Sequence, residues 1–138
     1  MIWTLKDIIT ATNGYLEGDA SDSTGITGIE FDSRRISNGD LFLAFSGTKS
    51  DGHNHLDAAK AGGAAAAVVR RKMNTDLPQI IVPDVQDALW AMAQTARQRT
   101  NAKITAITGS VGKTGTRALV TTCLDAVGQT HATRGNFN

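Results

Sequence analysis

The chain is poor in cysteine, in long apolar runs and in charge of either sign. Its single cysteine, Cys123, excludes an internal disulfide and fits a reducing compartment. Cys123 shares one side of a helical pattern with Leu119, Leu124 and Val127, so a small buried core residue is expected there. No segment approaches the roughly 18 apolar residues of a membrane span. The longest candidate, Ala61 to Val69, ends at Arg70-Arg71, and the first residues lack the pattern of a signal peptide. A cytoplasmic location is therefore expected. A formal net charge of +1, with the signs mixed, argues against a surface for nucleic acid or another polyanion. No repeat or low-complexity tract appears beyond the Ala64–Ala67 tetrad. A hydrophobic content of 41% over 138 residues suffices for one ordinary core or two small ones.

What the chain does have is Thr108-Gly109-Ser110-Val111-Gly112-Lys113-Thr114-Gly115. The apolar run Ile104–Ile107 precedes it as an expected strand, and Thr114 to Val127 follows as an expected helix. Strand, glycine turn, lysine, hydroxyl and helix together make a cradle for phosphate. Glycines let backbone N–H groups converge on an anion at a helix N-terminus. Lys113 then supplies a point charge for the β- and γ-phosphates of ATP, and Thr114 a hydroxyl for Mg²⁺. The spacing is G-x-x-G-K-T. The commoner G-x-x-x-x-G-K-[ST] would need glycine where Ile107 stands. That departure points away from a generic P-loop kinase and toward a subgroup with a short loop.

Upstream, Thr4 caps an expected helix from Leu5 to Thr12, with Asp7 at the capping-box position and Asn13-Gly14 as the stop. Tyr15–Glu17, Ile26–Phe31, the apolar run Leu41–Phe45, Ala65–Val69 and Gln79–Val82 read as strands. A helix is expected over His55 to Ala61. After Pro83, Asp84 caps a helix from Val85 to Arg99 whose apolar positions are Ala88, Leu89, Met92, Ala93 and Ala96. Trp90 stands one step off that stripe and is expected to be partly covered. Gln129 to Thr133 reads as a returning strand. The expected fold class is α/β: residues 1–82 form a small mixed α/β domain, and 83–138 begin a parallel-sheet P-loop ATPase domain. That second unit reads as unfinished, because a parallel sheet needs more strands and cover on both faces.

Loop chemistry in the first unit is dense. Asp32-Ser33-Arg34 follows one apolar strand; Gly47, then Asp51-Gly52-His53, follow the next. Polar groups beside glycines at strand ends build a small-molecule site at a sheet edge. Arg34 can fork onto a phosphate or carboxylate, Ser33 can pair with a base or sugar, and His53 can donate to a phosphate. Each also has an ordinary reading: Asp32 as a turn former, Arg34 in a surface ion pair, His53 as a loop histidine. His53 and His55 alone make a poor metal site.

Together, the glycine-lysine loop, Asp32-Ser33-Arg34, Gly39-Asp40-Leu41-Phe42, Gly47 and Asp51-Gly52-His53 resemble the Mur ligase family of ATP-dependent amide-forming enzymes of peptidoglycan synthesis. The resemblance spans essentially the whole chain. It implies a uridine-nucleotide domain with Asp32, Ser33, Arg34, Gly47, Asp51, Gly52 and His53 as substrate-binding residues, joined by Asn136 and Asn138. It implies ATP held by residues 108–115, with Lys113 and Thr114 as catalytic groups and Mg²⁺ on Thr114. Ser110, the opening Trp3-Thr4-Leu5 with Ala11–Gly14, and the terminal Gly135–Asn138 are similar to the member that uses UDP-N-acetylmuramoyl-tripeptide and D-alanyl-D-alanine. Gly115 departs from the threonine of many members. The further metal ligands and the C-terminal domain that the resemblance implies are expected beyond residue 138, in the remainder of the ligase chain, so this chain alone is expected to be inactive. A non-catalytic UDP-sugar-peptide binding module and a small P-loop phosphotransferase are the competing readings.

Overall fold

A computed structural model describes residues 2–47 and 50–133. The chain divides into two compact units, one ending at Thr100 and the other beginning at Asn101.

The first unit is built on a five-stranded sheet of order β2-β7-β6-β5-β4. Its strands are β2 (Tyr15–Glu17), β4 (Ile29–Glu30), β5 (Leu41–Leu43), β6 (Ala66–Val69) and β7 (Gln79–Ile81). Strands β4 to β7 run parallel, and β2 closes the edge antiparallel to β7. A parallel sheet must be covered on both faces, and the alternation of side chains along the strands supplies two apolar faces. Leu41, Leu43, Val68 and Ile80 face one core with Leu5, Ile8, Val85, Ala88 and Met92. Phe42, Ala67, Val69 and Ile81 face the other with Leu56, Ala59 and Leu77.

Helices α1 (Leu5–Thr12) and α3 (Val85–Gln98) lie on the first face, and α2 (Leu56–Ala61) on the second. The start of α1 is the expected capping box: Thr4 Oγ accepts from Asp7 N–H at 3.2 Å, and Asp7 Oδ2 accepts from Thr4 N–H at 3.0 Å. Asn13 ends it in the left-handed conformation at φ 51°. Asp84 Oδ1 caps α3 by accepting from Gln86 N–H at 2.8 Å and Asp87 N–H at 3.1 Å.

Two expectations change. The segment 26–31 is not one strand. Ile26 belongs to β3 (Gly25–Ile26), which pairs with β1 (Trp3–Thr4) in a separate ribbon, and Ile29–Glu30 joins the main sheet. Thr27 N–H turns aside to Gly39 O at 2.9 Å, and Gly28 packs so tightly on the Asp40 carboxylate that no Cβ would fit. Next, α3 does not open the second unit. Its Val85, Ala88 and Met92 complete the first core, so the compact unit runs to Thr100 rather than to residue 82. Arg99 fastens its end, with the guanidinium 4.1 Å above the Trp3 ring and 3.1 Å from Asp7 Oδ1. Trp90, expected to be partly covered, is 62% exposed.

The second unit contains helix α4 (Lys113–Asp125) and no strand among the described residues. The strands expected at 104–107 and 129–133 find no ladder partner there, and a strand without a partner leaves its backbone groups to solvent. Leu119, Leu124 and Val127 are exposed, and so is Cys123, against the expectation of burial. The apolar side of α4 meets no core among the described residues.

Candidate functional site

The parallel strands β4, β5 and β6 all end at the same edge of the sheet, where ligands of open α/β sheets bind. Three loops leave that edge. The first turns through a 3₁₀ turn, Ser33–Arg35, capped by Asp32. The second returns at Ser46–Asp51, where Ser46 and Asp51 form an antiparallel bridge. The third begins at Arg70-Arg71. Phe31 and Phe45, leaving β4 and β5, meet edge to face with ring centroids 6.3 Å apart.

Around the first loop, Arg34 is folded onto Asp32, with Nε 2.8 Å from Oδ1 and Nη2 2.7 Å from Oδ2. Arg34 N–H also donates to Asp32 Oδ1 at 3.1 Å. The guanidinium, and next the backbone N–H, hold the Asp32 carboxyl down at about 2. The same pairing pushes Arg34 above its ordinary value. Glu30 Oε1 accepts from Phe31 N–H at 2.9 Å and Asp32 N–H at 3.1 Å, so the loop is held from beneath.

Around the second loop, Gly47 N–H donates to Ser50 O at 2.9 Å and Gly52 N–H to Phe45 O at 2.7 Å. A Cβ on Gly52 would lie 2.8 Å from Phe45 O and 2.9 Å from Ala44 Cα, so only glycine allows this approach. Asp51 Oδ1 accepts from His53 N–H at 3.1 Å, from the His53 ring at 2.6 Å and from Ser46 Oγ at 3.1 Å. Arg71 Nη2 lies 3.1 Å from Asp51 Oδ2. The His53 backbone N–H first, then its ring, hold the Asp51 carboxyl well below the usual carboxylate range.

The side chain of His53 is wholly buried. Its Nε2 accepts from Arg70 N–H at 3.0 Å, which assigns the ring proton to Nδ1 and the hydrogen bond to Asp51. Neither ring nitrogen is left for a phosphate, contrary to the donor role expected from the sequence. His55 is also engaged, 2.9 Å from Ser50 Oγ. Among the described residues no group of three or more His, Cys, Asp or Glu could hold a metal.

The structure thus gathers Gly47, Asp51, Gly52 and His53 around one bridge. It brings Asp32, Ser33 and Arg34 to the same sheet edge by way of the Phe31–Phe45 contact. Asn136 and Asn138 lie outside the described residues. Sequence reasoning missed Phe31, Phe45 and Arg71. The available signal was an aromatic residue within two positions of the end of each of two adjacent strands, and paired arginines after a third.

In the second unit, Gly109 has φ 150° and Gly112 φ 80°. The left-handed Gly112 turns the chain so that Lys113 opens α4, and Thr116 N–H donates to Gly112 O at 2.9 Å as the first intrahelical bond. The positive end of the helix dipole therefore lies at the loop. Lys113 Nζ bends back over it and donates to Gly109 O at 2.6 Å. Among the described residues, a Cβ added at Gly112 or Gly115 would meet nothing within 4 Å. Thr114 lies in the first turn of α4. Residues 102–107, α4 and 128–133 line an open groove of about 1070 Å³ beside the loop.

A family model described as the Mur ligase family, catalytic domain, matches residues 25–110. The chain belongs to the Mur ligase family, as the resemblance in its motifs implied. It is 39% identical over 135 residues to the UDP-N-acetylmuramoyl-tripeptide–D-alanyl-D-alanine ligase of Escherichia coli K12, covering 98% of this chain and 29% of that enzyme. A crystal structure of MurF from Acinetobacter baumannii superimposes with a TM-score of 0.84 at 37% identity, over 97% of this chain and 30% of that one. The MurF ligase of Thermotoga maritima, solved in complex with ADP, matches with a TM-score of 0.68 at 30% identity, over 83% and 26%. The chain spans about 30% of the length of these relatives.

Proposed function

We propose that this chain is the uridine-nucleotide dock and phosphate loop of an ATP-dependent ligase that joins D-alanyl-D-alanine to UDP-N-acetylmuramoyl-tripeptide in peptidoglycan synthesis. The reading includes a cytoplasmic location and, through wall synthesis, a part in cell shape and division. The observation that carries it is the left-handed Gly112 setting Lys113 at the head of α4, in a chain similar along almost its whole length to such ligases.

In this reading the first unit receives the nucleotide end of the substrate at the ends of β4, β5 and β6. Phe31, half exposed beside Phe45, offers a face to an aromatic base. Arg34 exchanges one carboxylate oxygen of Asp32 for a diphosphate oxygen, which its fork geometry allows. Gly47 and Gly52 permit close backbone approach. In the second unit, the amides of residues 109–115 surround the phosphates, and Lys113 releases Gly109 O to reach them. Thr114 contributes a hydroxyl to Mg²⁺. ATP, when bound, supplies the phosphoryl group that activates the substrate carboxylate toward the amine. Lys113 and the helix end offset the charge that builds up there.

Phosphate release by the 138-residue chain, with ATP and both substrates, tests the division of labour. No turnover is expected from this chain alone, and steady release would overturn that. The competing reading is a non-catalytic binding module, favoured by one observation: the first unit has two filled cores, whereas the described part of the second has none. Separate calorimetric titrations distinguish them, because the ligase reading expects both UDP and Mg-ATP to bind.

A further inference from the structure

We propose that His53 is a positioning residue that holds the Ser46–Asp51 return at the sheet edge, and that nucleotide affinity depends on its bond to Asp51. The inference rests on the uridine-nucleotide reading above.

His53 is the one buried titratable ring among the described residues, and that reading gives it no ligand to touch. Four donors converge on Asp51: the backbone and ring of His53, Ser46 and Arg71. The side chain of Arg71 is 58% exposed and Ser46 lies at the surface, so water competes for both. The ring bond is the shortest, at 2.6 Å, and comes from a side chain with no exposure. Through Nε2 the same ring grips the main chain at Arg70, directly beyond β6. One imidazole therefore ties the return after β5 to the end of the neighbouring strand. The loop closures at Gly47 and Gly52 sit on either side of Asp51, and they inherit their place from the ring's bond to Asp51.

The two ring bonds separate experimentally. In the 138-residue chain, His53→Asn keeps an N–H donor near the Nδ1 place but loses the reach to Arg70. His53→Gln keeps an acceptor near the Nε2 place and loses the bond to Asp51. Both variants lose core packing, so both are expected to melt earlier than the parent. Only His53→Gln is expected to raise amide exchange at Gly47 and Gly52 about tenfold, and to raise the UDP dissociation constant by about the same factor. His53→Asn is expected to stay near the parent on both readouts.

Equal exchange in the two variants would overturn the inference, whatever UDP does. Parallel weakening of UDP in both, in step with the loss of melting temperature, would likewise reduce His53 to a core residue. An exchange difference without UDP binding by the parent chain would sink the nucleotide reading instead.

Discussion

Arg34 grips Asp32 through both carboxylate oxygens, at 2.8 and 2.7 Å, while 86% of the Arg34 side chain remains open to water. The pair is a preformed fork at the end of β4. It keeps the guanidinium at the sheet edge without burying it, and in the proposed reading the exposed face is the one offered to a diphosphate.

The same fork fixes a pH dependence. The Asp32 carboxyl, held at about 2, lies below its unfolded value of about 3.9. A depressed folded value means that the stabilisation is complete above the unfolded value and is lost as the pH falls through about 2. Carboxyl carbon NMR should give Asp32 a midpoint near 2, and Arg34→Gln should move it toward the ordinary range. An unchanged midpoint in Arg34→Gln would contradict the pairing.

Gly52→Ala should damage the second loop. Its Cβ would press on the backbone of Phe45 and Ala44 at 2.8 to 2.9 Å, and backbone yields less readily than a side-chain tip. A loss of about 1–3 kcal/mol in urea unfolding is expected, with faster amide exchange at Gly47. Parental stability would mean that the loop lies further from β5 than described.

The boundary at Thr100 is testable by shortening the chain. A protein ending at residue 100 keeps Val85, Ala88 and Met92 in the core and should melt cooperatively. One ending at residue 82 uncovers Leu41, Leu43, Val68 and Ile80 and should not. Within α3, Asp84→Ala removes both cap bonds and should cost about 1 kcal/mol. Equal cooperativity of the two shortened chains would restore the boundary at residue 82.

Lys113→Ala should abolish Mg-ATP binding and leave UDP binding at its parental value. Gly112→Ala should weaken Mg-ATP through backbone strain, since φ 80° disfavours a side chain while no atom of the described residues stands in its way. Calorimetry on both variants decides it, and loss of UDP affinity in Lys113→Ala would contradict separate sites.

Much of the first unit was legible because its signals are local or periodic. Thr4 with Asp7, and Asp84 before Val85, declare helix starts in a few residues. The alternation Leu41-Phe42-Leu43 declares a strand covered on both faces. The glycine turn before α4 was legible for the same reason, since Gly112 and Lys113 are neighbours in sequence. What escaped depends on distant partners. Nothing local says that Met92 packs under the sheet with Ile8, so the reach of the first core beyond residue 82 is not readable from pattern alone. The turn at Thr27-Gly28 is set by Gly39 and Asp40, eleven or more residues onward. His53 was read from its loop as a surface donor, whereas its ring is claimed by Asp51 and by the backbone of Arg70, seventeen residues away. Ile104–Ile107 and Cys123 carry apolar patterns whose counterparts are absent among the described residues, and pattern alone does not supply a partner.

The most direct test is a calorimetric titration of the 138-residue chain with UDP-N-acetylmuramoyl-tripeptide, run beside Arg34→Ala. Saturable one-to-one binding is predicted, about tenfold weaker in Arg34→Ala. No heat of binding, or equal affinity in the two proteins, would contradict a uridine-nucleotide dock at the ends of β4, β5 and β6.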